Sequence, residues 1–298
     1  MKLKERHFFK QIVRSYFNMQ GFVEIDSPVL LSTNTTETYI DPIWVNNNQL
    51  RTSPEIYLKR IISRGYKKAY ELGHVFRDEF EGRIHLREFS LLEWYRVNGT
   101  QNDLINDCEQ LFRLLSPNLF NKPFEIFTLE ELWYKYVGIN LKQAIVENNL
   151  AFHVKKSGFH VYENADFLDA FHHVMISYIE PFIGQTTPCV VTRWPSSMAA
   201  LSKTCEDDNL FSDRFEIYFN GIELANAFLE LTDFIEQKKR FIEAEKIRKR
   251  LGRKSSKIDK EFLLDLKLMP PTAGIAVGFD RLIMIILNIE NINNIYKF

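Results

Sequence analysis

The segment EFSLLEWYR, residues 88–96, carries several side chains suited to ligand binding. Because side chains alternate along a strand, Phe89, Glu93 and Tyr95 fall on one face. An aromatic ring can stack on a planar base, and a carboxylate beside a phenol can hold an ammonium group. The alternative is a half-buried strand whose Glu93 reaches solvent, and the pattern alone leaves both interpretations open.

Two arginines occupy positions suited to binding phosphates. Arg77 closes a predicted strand in the run Arg77–Glu79, and its planar fork of donors can bridge a phosphate and a carboxylate. Arg281 follows Gly274 and Gly278, and glycine lets a backbone approach a ligand closely. At a helix start this arginine can clamp a polyphosphate. The alternatives are a solvated hairpin tip for the first segment and an ordinary core turn for the second.

The segment GIELANAFLELTD, residues 221–233, supplies acidic groups. Glu223, Glu230 and Asp233 are oxygen ligands of the kind that Mg²⁺ takes beside phosphates. Glu223 and Glu230 lie seven positions apart, so a regular strand would place them on opposite faces. A shared metal site therefore requires a bulge or bend between them, and the alternative is an ordinary edge strand.

Periodicity and turn residues predict the elements that must position these groups. Helices are predicted over residues 4–20, 53–63, 104–115, 165–178 and 234–252 and from 280, and strands over 22–31, 50–53, 68–77, 88–98, 189–194, 215–219 and 222–231. Ser53 is the predicted N-cap of the second helix, with Pro54 at its first position. Hairpins without regular βαβ alternation predict an α+β fold, an antiparallel sheet flanked by helices. We expect one domain over residues 1–298.

Composition limits the function classes. The 298 residues include 38 Lys+Arg and 39 Asp+Glu and are 45% hydrophobic, which excludes a disordered chain and argues against a surface built entirely for nucleic acid. No apolar run approaches the roughly 20 residues of a membrane helix. Three scattered cysteines suit neither zinc nor disulfides, and no secretory signal is evident, so we expect a cytoplasmic protein. Residues 238–257 contain ten basic and two acidic residues, which indicates a solvated charged face or a docking surface for an acidic partner.

Taken in order, these segments resemble the three motifs of the class II aminoacyl-tRNA synthetase catalytic domain. The first helix with the strand around Pro28 resembles motif 1, FRDE with REFSLLEWY resembles motif 2, and GFDR resembles motif 3. The runs LRTSPEIYLKR and ELANAFLELTD look like the lysyl branch of the class. The resemblance covers nearly the whole chain and implies the α+β class II fold.

More narrowly, the sequence is similar to the family that attaches a lysine-type residue to elongation factor P, a stand-alone paralogue of lysyl-tRNA synthetase. Only 27 residues precede Pro28, which leaves no room for an N-terminal anticodon-binding domain. The run IEPFIGQTTPCVVTRWPSSMAALSK looks like that family's own segment between motifs 2 and 3. Ala276 stands where lysyl-tRNA synthetases usually have glycine, and the resemblance suggests that its methyl favours (R)-β-lysine over α-lysine.

The resemblance implies a role for each site residue. Arg77 and Arg281 would be the catalytic arginines that contact the substrate carboxylate, the α-phosphate and the phosphate tail. Substrate contacts would be Ser53, Pro54, Glu55, Glu93, Tyr95, Asn226, Glu230 and Ala276. ATP contacts would be Arg77, Asp78, Glu79, Phe89, Glu223, Leu224, Gly278 and Arg281, with Glu223 and Glu230 at the Mg²⁺ position.

Two positions depart from the family pattern. Leu86 stands where the family commonly has asparagine, so no side-chain amide is available there for adenine. Ala227 replaces a usual glycine in the ELANG run and narrows the pocket floor by one methyl. Neither change removes a charged catalytic group.

The implied reaction is activation of a lysine-type carboxylate by ATP with Mg²⁺, giving an aminoacyl-adenylate, followed by transfer to a lysine of elongation factor P. The implied partners are elongation factor P, a lysine-type amino acid and a second copy of the chain in a homodimer, without tRNA or membrane. The alternatives are a truncated lysyl-tRNA synthetase-like enzyme that charges tRNA or a small acceptor, and a non-catalytic amino-acid sensor. The full set of phosphate-handling residues argues against the sensor.

Overall fold

The computed structural model describes residues 2–33, 37–255 and 257–296. The chain forms two compact units, the first from Met1–Leu119 with Ala227–Phe298 and the second from Phe120–Asn226. A single catalytic domain over residues 1–298 stays a prediction. Among the described residues, no helix combines the length and apolar character needed to cross a bilayer.

Helices and strands occur in both units. The helices are α1 (Lys2–Met19), α2 (Glu55–Ser63), α3 (Gln101–Leu115), α4 (Leu129–Val137), α5 (Leu141–Val146), α6 (Leu150–Lys156), α7 (Phe167–Val174), α8 (Phe234–Arg250), α9 (Lys260–Asp265) and α10 (Phe279–Ile286). The strands are β1 (Val23–Glu24), β2 (Leu30–Leu31), β3 (Trp44–Val45), β4 (Asn48–Leu50), β5 (Lys68–Phe76), β6 (Glu88–Val97), β7 (Glu125–Thr128), β8 (Cys189–Pro195), β9 (Phe211–Phe219), β10 (Ile222–Leu229) and β11 (Thr272–Gly278). The predicted α+β class is confirmed.

In the first unit, the sheet that carries the predicted site runs in the order β1-β5-β6-β11, with the end of β10 beside β11. The hairpin of β5 and β6 matches its prediction closely, and β6 pairs with β11 in antiparallel register. The expectation of a purely antiparallel sheet needs one correction here, because β1 pairs with β5 in parallel. The connection between them is long and contains α2, which is what a parallel pair requires.

In the second unit, β9 pairs with β8 in antiparallel register and β8 with β7 in parallel. This parallel pair is a second departure from the antiparallel prediction, and the crossover from β7 to β8 contains α4 to α7. Helix α7 ends at Val174 and continues as a π-helical turn over Met175–Ile179, so the predicted helix over 165–178 has two geometries. A core that includes Trp133 and Phe171 packs these helices together.

The start of α2 differs from its prediction. The N-cap residue is Pro54, with no side-chain capping bond of its own. The hydroxyl of Ser53 nevertheless accepts a hydrogen bond from the backbone N–H of Glu55 at 2.9 Å. Ser53 therefore still satisfies one of the free donors at the helix start, from one position further out.

Helix α1 is joined to the predicted motif 3 helix by a buried ion pair. Arg6 pairs with Asp280 and donates to the Ser90 hydroxyl at 2.7 Å, and Asp280 accepts from the Ser90 backbone N–H at 2.8 Å. These contacts hold α10, and with it Arg281, against β6. Removing one partner of such a buried pair costs about 3–5 kcal/mol because the other charge is left unpaired.

The basic segment after residue 237 is largely paired within the first unit. Along α8, Lys246 pairs with Glu243 and Lys249 with Glu245. Arg248 is buried and binds Asp41. These contacts favour the solvated charged face, and a docking role for this segment stays a prediction.

Candidate active site

Five buried side chains of the first unit, with the half-buried Ser53, form what we call the acidic cluster: Ser53, Glu55, Lys59, Glu93, Tyr95 and Glu230. Glu93 lies on β6 and accepts hydrogen bonds from the hydroxyls of Ser53 and Tyr95, each at 2.7 Å. Its side chain is 2% exposed, so the interpretation in which Glu93 reaches solvent is wrong.

Lys59 connects the other two carboxylates of the cluster. One helical turn after Glu55, it pairs with that carboxylate through a short contact, and its Nζ lies 2.6 Å from Glu230 Oε2. Glu230 follows β10 directly and is 4% exposed. Its Oε1 is buried and has no hydrogen-bond partner within the part of the chain that the structure describes. A buried oxygen without a donor is costly, so Glu230 stays a predicted substrate contact.

Burial raises the pKa of two of these carboxyl groups. Desolvation raises the pKa of Glu93 to about 8, with the Glu55 charge adding to it and the Ser53 and Tyr95 hydroxyls opposing it. Desolvation raises the pKa of Glu230 to about 7 against the opposing effect of Lys59. Without a ligand, these carboxyls therefore bind protons near neutral pH, and a cationic ligand would displace those protons.

Small residues of β11 lie opposite the cluster. Gly274 pairs with Tyr95 and Ala276 with Glu93 in the register of β11 and β6, so Ala276 shares a face with the carboxylate. A Cβ added at Gly274 would overlap the Tyr95 ring and lie 2.5 Å from Glu230 Oε1. Glycine at 274 is therefore what lets this ring and this carboxylate approach the strand. Ala276 thus lies directly across from Glu93, and its role in the choice of isomer stays a prediction.

The predicted nucleotide residues of the first unit gather at the ends of the hairpin. The Arg77 guanidinium lies 5.3 Å from the centre of the Phe89 ring, and Arg77 Nε is buried without a hydrogen-bond partner in the described chain. Asp78 is exposed and accepts from Arg87 at 2.6 Å. Glu79 is half-buried in the same connection. Adenine stacking on Phe89 stays a prediction, since Arg77 already contacts that ring.

Arg281 and Gly278 lie at the start of α10. Gly278 precedes the first residue of α10, and the Arg281 Nε donates to the Ile84 carbonyl at 3.2 Å. Arg281 is thus linked to the same hairpin connection that carries Arg77. The structure brings both predicted catalytic arginines to the motif 2 hairpin.

Leu86 lies away from the predicted base-stacking face. It lines an open cavity of about 680 Å³ with Phe76 and Glu88, among others. Glu88 and Phe89 are neighbours on β6 and so point to opposite faces of the sheet. Leu86, which lacks the side-chain amide common in the family, therefore lies on the face of the hairpin opposite to Phe89.

The remaining predicted residues belong to the second unit, and a separate group of contacts holds them. The Asn226 side-chain oxygen accepts from Arg214 Nε at 3.2 Å, and Arg214 also contacts the buried Glu216. Burial and the charge of Glu223 raise the pKa of Glu216 to about 8. Leu224 is buried and Glu223 half-buried on β10.

A magnesium site made of protein ligands alone does not emerge. Within the described residues, no group of three or more acidic, histidine or cysteine side chains is arranged to hold a metal. Asp233 caps α8 by accepting from the N–H groups of Ile235 and Glu236, at 2.7 and 3.0 Å. Glu223, by contrast, is a half-buried carboxylate that raises the pKa of Glu216 by repulsion. This suits a Mg²⁺ ion held by few carboxylates together with phosphates.

Three residues of these clusters escaped the sequence analysis: Lys59, Arg214 and Glu216. Lys59 had a visible signal, because it lies four positions after Glu55 in a predicted helix and such pairs meet. The pair of Glu216 with Tyr218 repeats the two-residue spacing of Glu93 with Tyr95. Burial decides which of these side chains belong to the clusters, and the spacing of residues along the sequence does not reveal burial.

The whole chain, residues 1–298, matches the family model of class II tRNA synthetases of the D, K and N type. The chain therefore belongs to the class II aminoacyl-tRNA synthetase family. It is 36% identical over 298 residues to the elongation factor P–(R)-β-lysine ligase of Mannheimia succiniciproducens, covering 96% of this chain and 91% of that protein. Proteins of the same name from Histophilus somni and Haemophilus influenzae are 35% and 34% identical, with the same shares covered.

Proposed function

We propose that this protein activates (R)-β-lysine with ATP as an aminoacyl-adenylate, with release of pyrophosphate. It then transfers the β-lysyl unit to a lysine side chain of elongation factor P, with release of AMP. The observation that carries the proposal is the buried acidic cluster, in which the hydroxyls of Ser53 and Tyr95 hold Glu93 and one oxygen of Glu230 has no hydrogen-bond partner in the described chain. It lies in a chain 34–36% identical to relatives named for this reaction.

Activation requires a substrate carboxylate to approach an α-phosphate, although both are anions. Arg77 and Arg281 supply two guanidinium groups at the hairpin, one with a buried donor that has no partner in the described chain. Preorganised positive groups of this kind stabilise charge as it develops in the transition state. Glu93 and Glu230 hold the ammonium groups, so the chain contributes mainly positioning and charge neutralisation.

Magnesium is part of the proposal. Glu223 would be a ligand of the ion, as the sequence resemblance implies, with the phosphates as further ligands. When bound, the ion withdraws charge from the phosphate oxygens. Glu223 suits this role because its carboxylate is half-buried and already faces repulsion from Glu216.

The choice between isomers is assigned to Ala276. Its position directly across from Glu93 supports this assignment, because a methyl there crowds the ammonium site of one isomer more than the other. A change of one methylene in a tight pocket alters discrimination by roughly 1–3 kcal/mol. The position of the amino group on the substrate therefore decides the fit.

We also propose a homodimer that works in the cytoplasm. The motif 1 region exposes large apolar side chains, among them Phe8 at 58% and Leu30 at 50%, and such a surface suits a two-fold contact. The cysteines are free and buried, as a reducing compartment allows. Light scattering at micromolar concentration should give twice the mass of 35.3 kDa, and a monomer would contradict the dimer.

The intact mass of elongation factor P tests the activity. The acceptor from the same organism is incubated with this protein, ATP, Mg²⁺ and either (R)-β-lysine or α-lysine. We expect a gain of one lysyl unit, faster with (R)-β-lysine, and no gain with Arg77→Ala. A wild-type protein that charges tRNA instead, or modifies nothing, would overturn the proposal.

A further inference from the structure

A short 3-10 helical turn, Ile292–Ile295, follows α10 and lies outside the three motifs. Its first and last residues are 2% and 1% exposed, so the turn is anchored in the first unit. The Ile292 backbone N–H donates to the Arg83 carbonyl at 2.9 Å. The hydroxyl of Tyr296, directly after the turn, donates to Asp280 Oδ2 at 2.7 Å. The turn and Tyr296 therefore join the hairpin connection between β5 and β6 to the start of α10.

Both hydrogen bonds end one residue away from the contacts of Arg281. Asp280 precedes Arg281 in α10. Arg83 precedes Ile84, whose carbonyl accepts from Arg281 Nε at 3.2 Å. The two bonds therefore hold the two segments between which the Arg281 guanidinium is placed. Small displacements of a group that orients a substrate lower the rate strongly, so these bonds bear on the reaction.

The carboxylate of Asp280 is held at both oxygens. Its Oδ1 pairs with Arg6, and its Oδ2 accepts from the Ser90 backbone N–H at 2.8 Å as well as from Tyr296. The Arg6 guanidinium lies 4.8 Å from the centre of the Tyr296 ring and donates to its hydroxyl at 3.2 Å. Loss of that hydroxyl would leave the ion pair of Arg6 with Asp280 in place. A variant without it should therefore fold and lose one constraint on α10.

We propose that Tyr296 is a positioning residue for ATP, which acts through Asp280 to hold Arg281 where it grips the phosphate tail. The turn before it acts in the same direction through the Arg83 carbonyl, on the connection that also carries Arg77. The inference rests on the proposed function and deepens it, because it explains how the first unit orients Arg281 toward the nucleotide. None of these contacts involves the acidic cluster, so the effect should concern ATP and not the amino acid.

The ordinary alternative is a tyrosine that only stabilises the fold, and the first unit contains a matched example. The Tyr16 hydroxyl donates to the buried Asp107 at 3.1 Å, and Asp107 pairs with Arg96 at 2.8 Å. This is the same arrangement of tyrosine, aspartate and arginine, but it joins α1, α3 and β6 rather than α10 and the hairpin connection. Tyr16→Phe therefore reports what the loss of such a hydrogen bond does to stability alone.

The test compares Tyr296→Phe with the control Tyr16→Phe. ATP–pyrophosphate exchange with the lysine-type substrate gives the KM for ATP and for the amino acid, and thermal unfolding gives the stability. For Tyr296→Phe we expect the KM for ATP to rise about fivefold, with the KM for the amino acid within about twofold of wild type. Tyr16→Phe should lower the melting temperature by a similar amount and leave both KM values unchanged.

A double-mutant cycle with Arg281→Ala tests the route of the effect. The dissociation constant for ATP is measured by calorimetry, so that the cycle does not depend on turnover. If Tyr296 acts through Arg281, Tyr296→Phe should weaken ATP binding about fivefold in the wild-type background and not at all in Arg281→Ala. Equal weakening in both backgrounds would overturn the role.

The role of Tyr296 would also be overturned by an equal rise in both KM values, or by a loss of stability like that of Tyr16→Phe with the KM for ATP unchanged. If Tyr296→Phe does not fold, hydrogen exchange of the wild-type protein decides. Amides in peptides containing Ile292 should exchange more slowly with ATP and Mg²⁺ but not with the amino acid alone, and no difference would overturn the role. The proposed function is judged separately. A wild-type protein that binds ATP but shows no pyrophosphate exchange with any lysine-type amino acid would end that function, whereas the ATP dissociation constants decide the role of Tyr296.

Discussion

Two strands of the molecule carry the same local pattern with different surroundings. On β6 the Tyr95 hydroxyl donates to Glu93 at 2.7 Å, and on β9 the Tyr218 hydroxyl donates to Glu216 at 2.5 Å. Both glutamates are buried, and desolvation raises the pKa of each to about 8. The local pattern Glu-x-Tyr therefore produces the same buried, proton-binding carboxyl twice.

The two glutamates differ in their positive partners. Glu216 is bound directly by the Arg214 guanidinium, whereas Glu93 accepts hydrogen bonds from the neutral hydroxyls of Ser53 and Tyr95. A buried carboxylate with its own guanidinium is internally compensated. Glu93 is not compensated by a guanidinium in this way. A cationic group of a ligand can therefore supply the positive charge that Arg214 supplies to Glu216. Under the proposed function, this difference makes Glu93 a binding carboxylate and Glu216 a structural one.

Replacing Glu93 or Glu216 by glutamine should give the largest difference in kcat/KM between the two regions. We expect Glu93→Gln to lower kcat/KM for the lysine-type substrate about 10- to 100-fold, since a hydrogen bond to a charged group contributes about 1.5–3 kcal/mol. Glu216→Gln should lower thermal stability more than it lowers substrate affinity. Pyrophosphate exchange and melting curves of both variants provide the measurement. Equal losses of kcat/KM would mean that the two carboxylates do not differ in role.

A methyl group at Gly274 should act on the acidic cluster alone. The added Cβ overlaps the Tyr95 ring and crowds Glu230, and overpacking of this kind costs about 1–3 kcal/mol. We expect Gly274→Ala to raise the KM for the amino acid about tenfold while the KM for ATP stays close to wild type. Gly82→Ala is the control, because no atom lies within 4 Å of a Cβ added there. A Gly274→Ala enzyme with unchanged kinetics would show that β11 shifts to accommodate the methyl without disturbing substrate binding.

The pH dependence should distinguish the same two regions. Glu93 and Glu230, with pKa values raised to about 8 and 7, are protonated below those values and ionised above them. We therefore expect the KM for the amino acid to fall several-fold from pH 6 to pH 8, a trend that Glu93→Gln weakens and Glu216→Gln leaves intact. A flat wild-type profile would contradict this.

Stability should change with pH in the opposite direction. A carboxyl whose pKa is raised on folding contributes stability that is complete below the unfolded value near 4.5 and is lost as pH rises through the folded value. The melting temperature of the ligand-free protein should therefore decline from pH 6 to pH 9, less steeply in Glu93→Gln. Added substrate should stabilise the protein more at pH 8 than at pH 6.

The smallest effect is expected at Ala276. Because this methyl lies across from Glu93, Ala276→Gly should alter the preference between (R)-β-lysine and α-lysine toward α-lysine by about fivefold, close to 1 kcal/mol. Exchange assays with each isomer at matched concentrations provide the ratio. An unchanged ratio would show that the preference between the isomers does not depend on the methyl of Ala276.

Much of the first unit was predictable because its signals are local. Alternation along residues 88–96 predicted that Glu93 and Tyr95 share a face, and the structure confirms this with a direct hydrogen bond. The hairpin over 68–77 and 88–98 was placed within one residue of β5 and β6 at each end. The parallel pairing of β1 with β5 was not predicted, since strand direction depends on distant chain segments.

By itself, the sequence determined the α+β class, the hairpin, the order of the motifs and the family, because these depend on periodicity and on residue types along the chain. Only the tertiary structure decided that Lys59 lies among Glu55 and Glu230, and that Arg214 compensates Glu216 while Glu93 contacts hydroxyls. These outcomes depend on which side chains burial brings together from distant positions. Burial also sets the pKa of each carboxyl, so the chemistry of the site could be read only from the folded chain.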